Sequence, residues 1–208
     1  MSFTLAQRLI AAGVICLVAL IGLVVVEGRA RAAGTEVILR MQPVDPRSLL
    51  TGHYVQLSFA EQLEPGETCP PLVDKQVSFN VFRSSDAQHW LALKPEGDVH
   101  VLAGEYLTKA EALAHAPVAG RGNASCNTTF RPTPGAPEGV GDEVATVFLH
   151  LSIDRFHADQ DEALALEQII NDRTGVDRIG AVVSIADAGV VRTKGVIVDG
   201  KRVELTWF

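Results

Sequence analysis

Residues 178–207 read RIGAVVSIADAGVVRTKGVIVDGKRVELTW, and this stretch decides the fold class. Three runs rich in aliphatic and β-branched residues, 178–186, 190–198 and 202–207, are separated by Asp187-Ala188-Gly189 and by Asp199-Gly200. Branched side chains suit a pleated, half-buried surface, and Asp-Gly supplies the positive φ that a two-residue type I′ turn needs at both central positions. The stretch predicts an antiparallel meander, with Trp207-Phe208 as a packed terminus.

The same periodicity recurs upstream. In 36–41, Val37, Leu39 and Met41 alternate with Glu36, Ile38 and Arg40; in 53–59, His53, Val55, Leu57 and Phe59 share one face and Tyr54, Gln56 and Ser58 the other. Between them Pro43 and Asp45-Pro46 force a turn, because proline lacks the N–H donor and holds its predecessor extended. Further strands are expected at 76–83, 89–93, 98–102 and 145–153. One helix is expected at 160–172, opened by Asp159 with Glu162 three residues on, closed near Gly175, and carrying Leu166, Ile169 and Ile170 as its apolar side. Its acidic start, Asp159, Asp161 and Glu162, complements the helix dipole and needs no cation. Residues 116–142, rich in Gly, Pro, Asn and Thr, read as a long surface loop. The expected fold is mainly β with one amphipathic helix, an α+β arrangement built on an antiparallel sheet.

In front of this domain, residues 9–26 read LIAAGVICLVALIGLVVV and carry no charge. At 1.5 Å per residue the run spans about 27 Å, close to the roughly 30 Å of bilayer hydrocarbon. The chain divides into a tail (1–8), a transmembrane anchor (9–26), a linker (27–35) and a β-rich domain (36–208). Ala30-Arg31-Ala32 has the small-x-small form of a signal-peptidase site, but the apolar run exceeds the usual signal-peptide length, so a retained anchor is expected. Arg29, Arg31 and Arg40 outnumber Arg8 and the α-amine and argue against an exported domain; the short tail and the cysteines argue for one. Cys69 and Cys126 are either an extracytoplasmic disulfide or two buried thiols, and a bridge would close a loop worth about 4 kcal/mol in the chain-entropy account. The expectation is a bacterial inner-membrane protein with one span and a periplasmic domain.

The charge of −7 is uneven: beyond residue 34, 15 basic and 24 acidic side chains leave −9. Such a domain repels phosphate backbones, which argues against nucleic acid as a partner. The chain has no phosphate-binding Gly-x-x-x-x-Gly-Lys, no dinucleotide fingerprint, no Gly-x-Ser-x-Gly, no His-Glu-x-x-His and no Cys-x-x-Cys. His150 and His157, seven residues apart, imply no ligand geometry. No cofactor and no metal is expected.

Residues 43–59, PVDPRSLLTGHYVQLSF, carry a resemblance to the bacterial GDYXXLXY family, through Gly52, His53, Tyr54, Leu57 and Phe59 and the preceding Pro-x-Asp-Pro-Arg turn. Ile153-Asp154-Arg155-Phe156 resembles the family's later Ile-Glu-Arg-Phe segment, and the anchor and C-terminal meander agree as well. Two positions depart: His53 stands for the motif's Asp and Phe59 for its last Tyr. The family has no assigned activity, so the resemblance implies an architecture and no chemistry. A carboxylate-dependent reaction at position 53 is excluded for this chain.

Two functions are expected to compete. One is a non-enzymatic binding or assembly module acting with a polytopic membrane protein through Asp45, Arg47, Tyr54, Asp154 and Arg155. The other is a diverged membrane-anchored Ser/Lys hydrolase, since Met41-Gln42-Pro43 and Gly52-His53-Tyr54-Val55 resemble the signal-peptidase class. There Arg40 stands where the nucleophilic serine belongs, and a guanidinium cannot attack a carbonyl. Only a Ser or Thr hydroxyl within hydrogen-bond reach of a Lys or His, in a cleft near the 52–59 strand, would favour the hydrolase.

Overall fold

A computed structural model describes residues 4–42, 54–56, 58–73, 89–132, 141–153, 155–157, 179–198 and 200–204. The elements are α1 (Leu5–Ala33), β1 (Thr35–Gln42), β2 (Tyr54–Gln56), β3 (Ser58–Gln62), β4 (His89–Glu96), β5 (Val99–Tyr106), α2 (Lys109–His115), β6 (Val118–Pro132), β7 (Gly141–His150), β8 (Arg155–His157), β9 (Ile179–Ile185), β10 (Val191–Val198) and β11 (Lys201–Glu204). Nine strands form one antiparallel sheet in the order β11-β10-β9-β1-β3-β7-β6-β4-β5, and β2 pairs with β8 separately.

Two strands turn the sheet back on itself by serving different partners along their length. β1 pairs with β9 through Thr35–Arg40 and with β3 only at Met41 and Gln42. β6 pairs with β4 through Val118–Gly122 and with β7 from Asn123 onward. The β11-β10-β9-β1 layer thus faces the β6-β4-β5 layer across a core that includes Val37, Leu39, Ile179, Val183 and Val191 from one side and Leu91, Leu93, Leu102 and Cys126 from the other. The layers touch closely: a Cβ on Gly120 would sit 3.2 Å from Ile185 Cδ1. On the far side of the second layer, α2 buries Ala112 against Trp90, Ala92 and Ala119.

The expected strands at 36–41, 89–93, 98–102, 145–153 and in the C-terminal meander correspond to β1, β4, β5, β7 and β9 to β11. Gly200, at φ +74, provides the turn between β10 and β11. Four features differ from the sequence reading. The 53–59 strand is two strands, β2 and β3, in different sheets. The 116–142 loop is largely β6, fifteen residues long. A second helix, α2, is present, capped by Thr108 with Glu111 in a reciprocal box. Finally, α1 is longer than the apolar run: it starts at a Thr4–Gln7 capping box, continues for 29 residues through the expected linker, and leaves only Gly34 before β1. None of its residues is buried, and it is long and apolar enough to cross a membrane. The 76–83 strand, the 160–172 helix, the turn around Asp45 and Trp207-Phe208 lie outside the described residues.

Candidate functional site

The two segments that resemble the family motif are brought together by backbone pairing. β2 and β8 form a short antiparallel ribbon with Tyr54 opposite His157, Val55 opposite Phe156 and Gln56 opposite Arg155. Of the proposed binding residues, Tyr54 and Arg155 therefore occupy neighbouring strands of one ribbon, while Asp45, Arg47 and Asp154 lie outside the described residues. Among the motif positions, Phe59 is buried on β3 opposite Leu149, as an aromatic in the core, and Gly52, His53 and Leu57 lie outside the described residues.

Cys69 and Cys126 are joined by a disulfide, with Cα atoms 5.9 Å apart. It ties the segment after β3 to the middle of β6. The same segment is held by Glu105 on β5, whose backbone N–H donates to the Pro71 carbonyl at 2.8 Å. The Glu105 side chain, with the residue only 4% exposed, accepts from Val73 N–H at 3.1 Å, from His89 Nδ1 at 2.9 Å and from Ala124 N–H at 3.4 Å. A buried carboxylate is tolerated when its lone pairs are occupied, and here two strands and a loop converge on it.

Close by, Ser125 Oγ and His150 Nε2 lie 3.2 Å apart on adjacent strands. Asn123, not Ser125, is the residue directly opposite His150, so the contact is a diagonal cross-strand pair on one face. Desolvation lowers the His150 pKa, and the charge of Glu105 partly offsets this. The imidazole is thus biased toward its neutral, proton-accepting form. Neither pair was visible in the sequence, because sixteen residues separate His89 from Glu105 and twenty-five separate Ser125 from His150. Only strand register brings them together.

A third polar group lies at the opposite layer. Glu36 on β1 meets Lys194 Nζ at 2.7 Å and Arg202 Nη1 at 2.5 Å, and these hydrogen bonds, Arg202 first, lower its pKa to about 2. Among the described residues, no three His, Cys, Asp or Glu side chains are grouped to hold a metal ion.

Residues 16–196 match the family described as GDYXXLXY protein. The chain belongs to that family. The match runs from inside α1 almost to the end of β10, so it covers the second half of the apolar helix and strands from both layers of the sheet. No curated protein and no solved structure matches the chain.

Proposed function

We propose that this GDYXXLXY family protein is a non-enzymatic binding or assembly module, anchored by α1 in the bacterial inner membrane with its β domain on the periplasmic side, and acting with a polytopic membrane protein. The observation that carries this reading is the β2–β8 ribbon. It joins the two motif segments in a ribbon of their own, so their pairing adds nothing to the nine-stranded ladder. The exposed apolar length of α1 supports the anchor, and the Cys69–Cys126 bridge suits an oxidising compartment. The test is co-purification in mild detergent from cells carrying Arg47→Ala and Arg155→Ala. The partner should be lost while the melting temperature stays close to that of the parent. Loss of stability with the partner retained would make these residues structural.

The Ser125–His150 hydrogen bond is the one observation that favours the hydrolase, because β7, which carries His150, is paired to β3 at the end of the motif. Against it, the carboxylate whose charge His150 feels, Glu105, accepts from His89, so Glu105 does not serve as the orienting partner of a triad. A fluorophosphonate probe separates the readings. The binding module predicts no labelling; labelling abolished by Ser125→Ala would establish the hydrolase.

A further inference from the structure

Outside α1, the large apolar side chains left exposed among the described residues are Leu107, Leu113, Phe130 and Val190, at 66%, 44%, 52% and 43%. Val190 lies at the end of the sheet from which α1 emerges, and Leu107 and Leu113 lie just before and on α2, whose start is tied to that end. Gly34 leads directly from α1 into β1, and the register sets Thr35 opposite Ile185 and Ile185 opposite Val191. The β9–β10 turn, with Val190, is therefore at that end.

The turn is fixed to the second layer. Gly189, at φ +81, gives its carbonyl to Arg121 N–H at 2.8 Å, and a Cβ there would come within 2.5 Å of the Trp90 ring. Lys109 Nζ donates to the Asp187 carbonyl at 2.6 Å, which draws the start of α2 to the same turn. Leu107 precedes the Thr108 cap. Because α2 spends Ala112 on the sheet, Leu113 stays on its outer side.

Height above the membrane follows from α1. The helix continues seven residues beyond the apolar run, about 10 Å, and the headgroup zone is about 5–8 Å deep on each side of the hydrocarbon. With one residue between helix and sheet there is no slack to carry this end farther away. Exposed apolar clusters mark interaction sites, and segments lying in a membrane interface sink such faces about 5–10 Å into the headgroup boundary.

We propose that Leu107, Leu113 and Val190 form a lipid-facing surface on which the domain rests against the phospholipid headgroups of the bilayer that holds α1. The inference rests on the reading of α1 as an anchor. Contact is driven by apolar burial, so neutral lipid suffices despite the acidity of the domain.

The test uses the full chain with Cys16→Ala and one added cysteine, Leu113→Cys, Val190→Cys, Phe130→Cys or Val18→Cys, each labelled with an environment-sensitive fluorophore. Each is reconstituted in phosphatidylcholine vesicles without bromine, or with bromine near the top of the acyl chains or near their ends. The expected result is loss of fluorescence to brominated lipid at positions 113, 190 and 18 and none at 130. Quenching at 18 with 113 and 190 no different from 130 would overturn the lipid surface and leave the anchor standing. No quenching at 18 would overturn the anchor and this surface together. A change at 113 and 190 seen only in native membranes, and not in pure lipid, would assign the surface to a protein partner and overturn the proposal.

Discussion

The β11-β10-β9-β1 layer and the β6-β4-β5 layer share one core, yet they are held in different ways. In the first, every residue of β9 is buried, and the polar ties sit at the rim: Glu36 with Lys194 and Arg202, and Glu27 with Arg192. Its strands β9, β10 and β11 are successive hairpin partners. Aliphatic burial and short connections suffice there. The second layer must also hold a segment around residues 69–73 that contributes no strand, and it does so with a disulfide and a buried carboxylate. Where ladder pairing is missing, covalent and hydrogen-bonded ties replace it.

Removing the covalent tie is the severest way to test this contrast. Replacing both Cys69 and Cys126 by Ala should cost about 4 kcal/mol in urea denaturation, the loop-entropy value for a separation of 57 residues. Hydrogen exchange should show protection lost first around residues 69–73 and β5, with β9 and β10 still protected. Simultaneous loss in both layers would break the distinction.

Removing the buried carboxylate comes next. Glu105→Ala leaves the donors on Val73, Ala124 and His89 without their acceptor, and a loss of about 3 kcal/mol is expected from equilibrium denaturation. Glu105→Gln, which keeps one acceptor oxygen, should lose less.

The rim of the first layer is predicted to be nearly silent. Glu36→Gln should cost at most about 1 kcal/mol, since the Glu36 side chain is 37% exposed and solvent screens its pairs. The sign with pH is fixed by the direction of the shift. A carboxylate whose folded pKa is depressed from 4.5 to about 2 contributes stability above the unfolded value and loses it as pH falls through the folded one. The gap between parent and Glu36→Gln should thus close on acidification over that range. A cost equal to that of Glu105→Ala would erase the contrast between the layers.

Smallest of all, Ser125→Ala should change stability by less than about 0.5 kcal/mol, as expected at an exposed cross-strand contact. His150, followed by NMR, should titrate below the ordinary histidine range. Its depressed pKa contributes stability that is present above that range and lost as pH falls through it.

The first layer was legible throughout. Its aliphatic runs and Asp199-Gly200 turn encode both strand type and connection locally, and β1 shows plain alternation. In the second layer β4 and β5 were legible as well, and β6 misled because its close packing demands small residues. In β6, Ala119, Gly120, Gly122 and Cys126 are buried, and side chains at the two glycines would meet Ile185 and Leu91. Glycine there answers to close packing, Gly120 against the opposite layer and Gly122 against the neighbouring strands β4 and β7, although by composition it reads as a turn residue. α2 was discoverable from Thr108-x-x-Glu111, a capping box, but seven residues give too little periodicity to announce a helix. The motif ribbon was half legible: both segments stood out in the sequence, while their pairing, like the Glu105–His89 and Ser125–His150 contacts, depends on register between distant strands.

The junction at Gly34 has a mechanical meaning. A helix set in a bilayer leans more as the hydrocarbon thins and stands straighter as it thickens. α1 passes into β1 through one residue, and Arg192 grips Glu27 two turns back along the helix at 2.6 Å. On the proposed reading of α1 as a membrane anchor, this junction passes a lean of the helix on to the sheet.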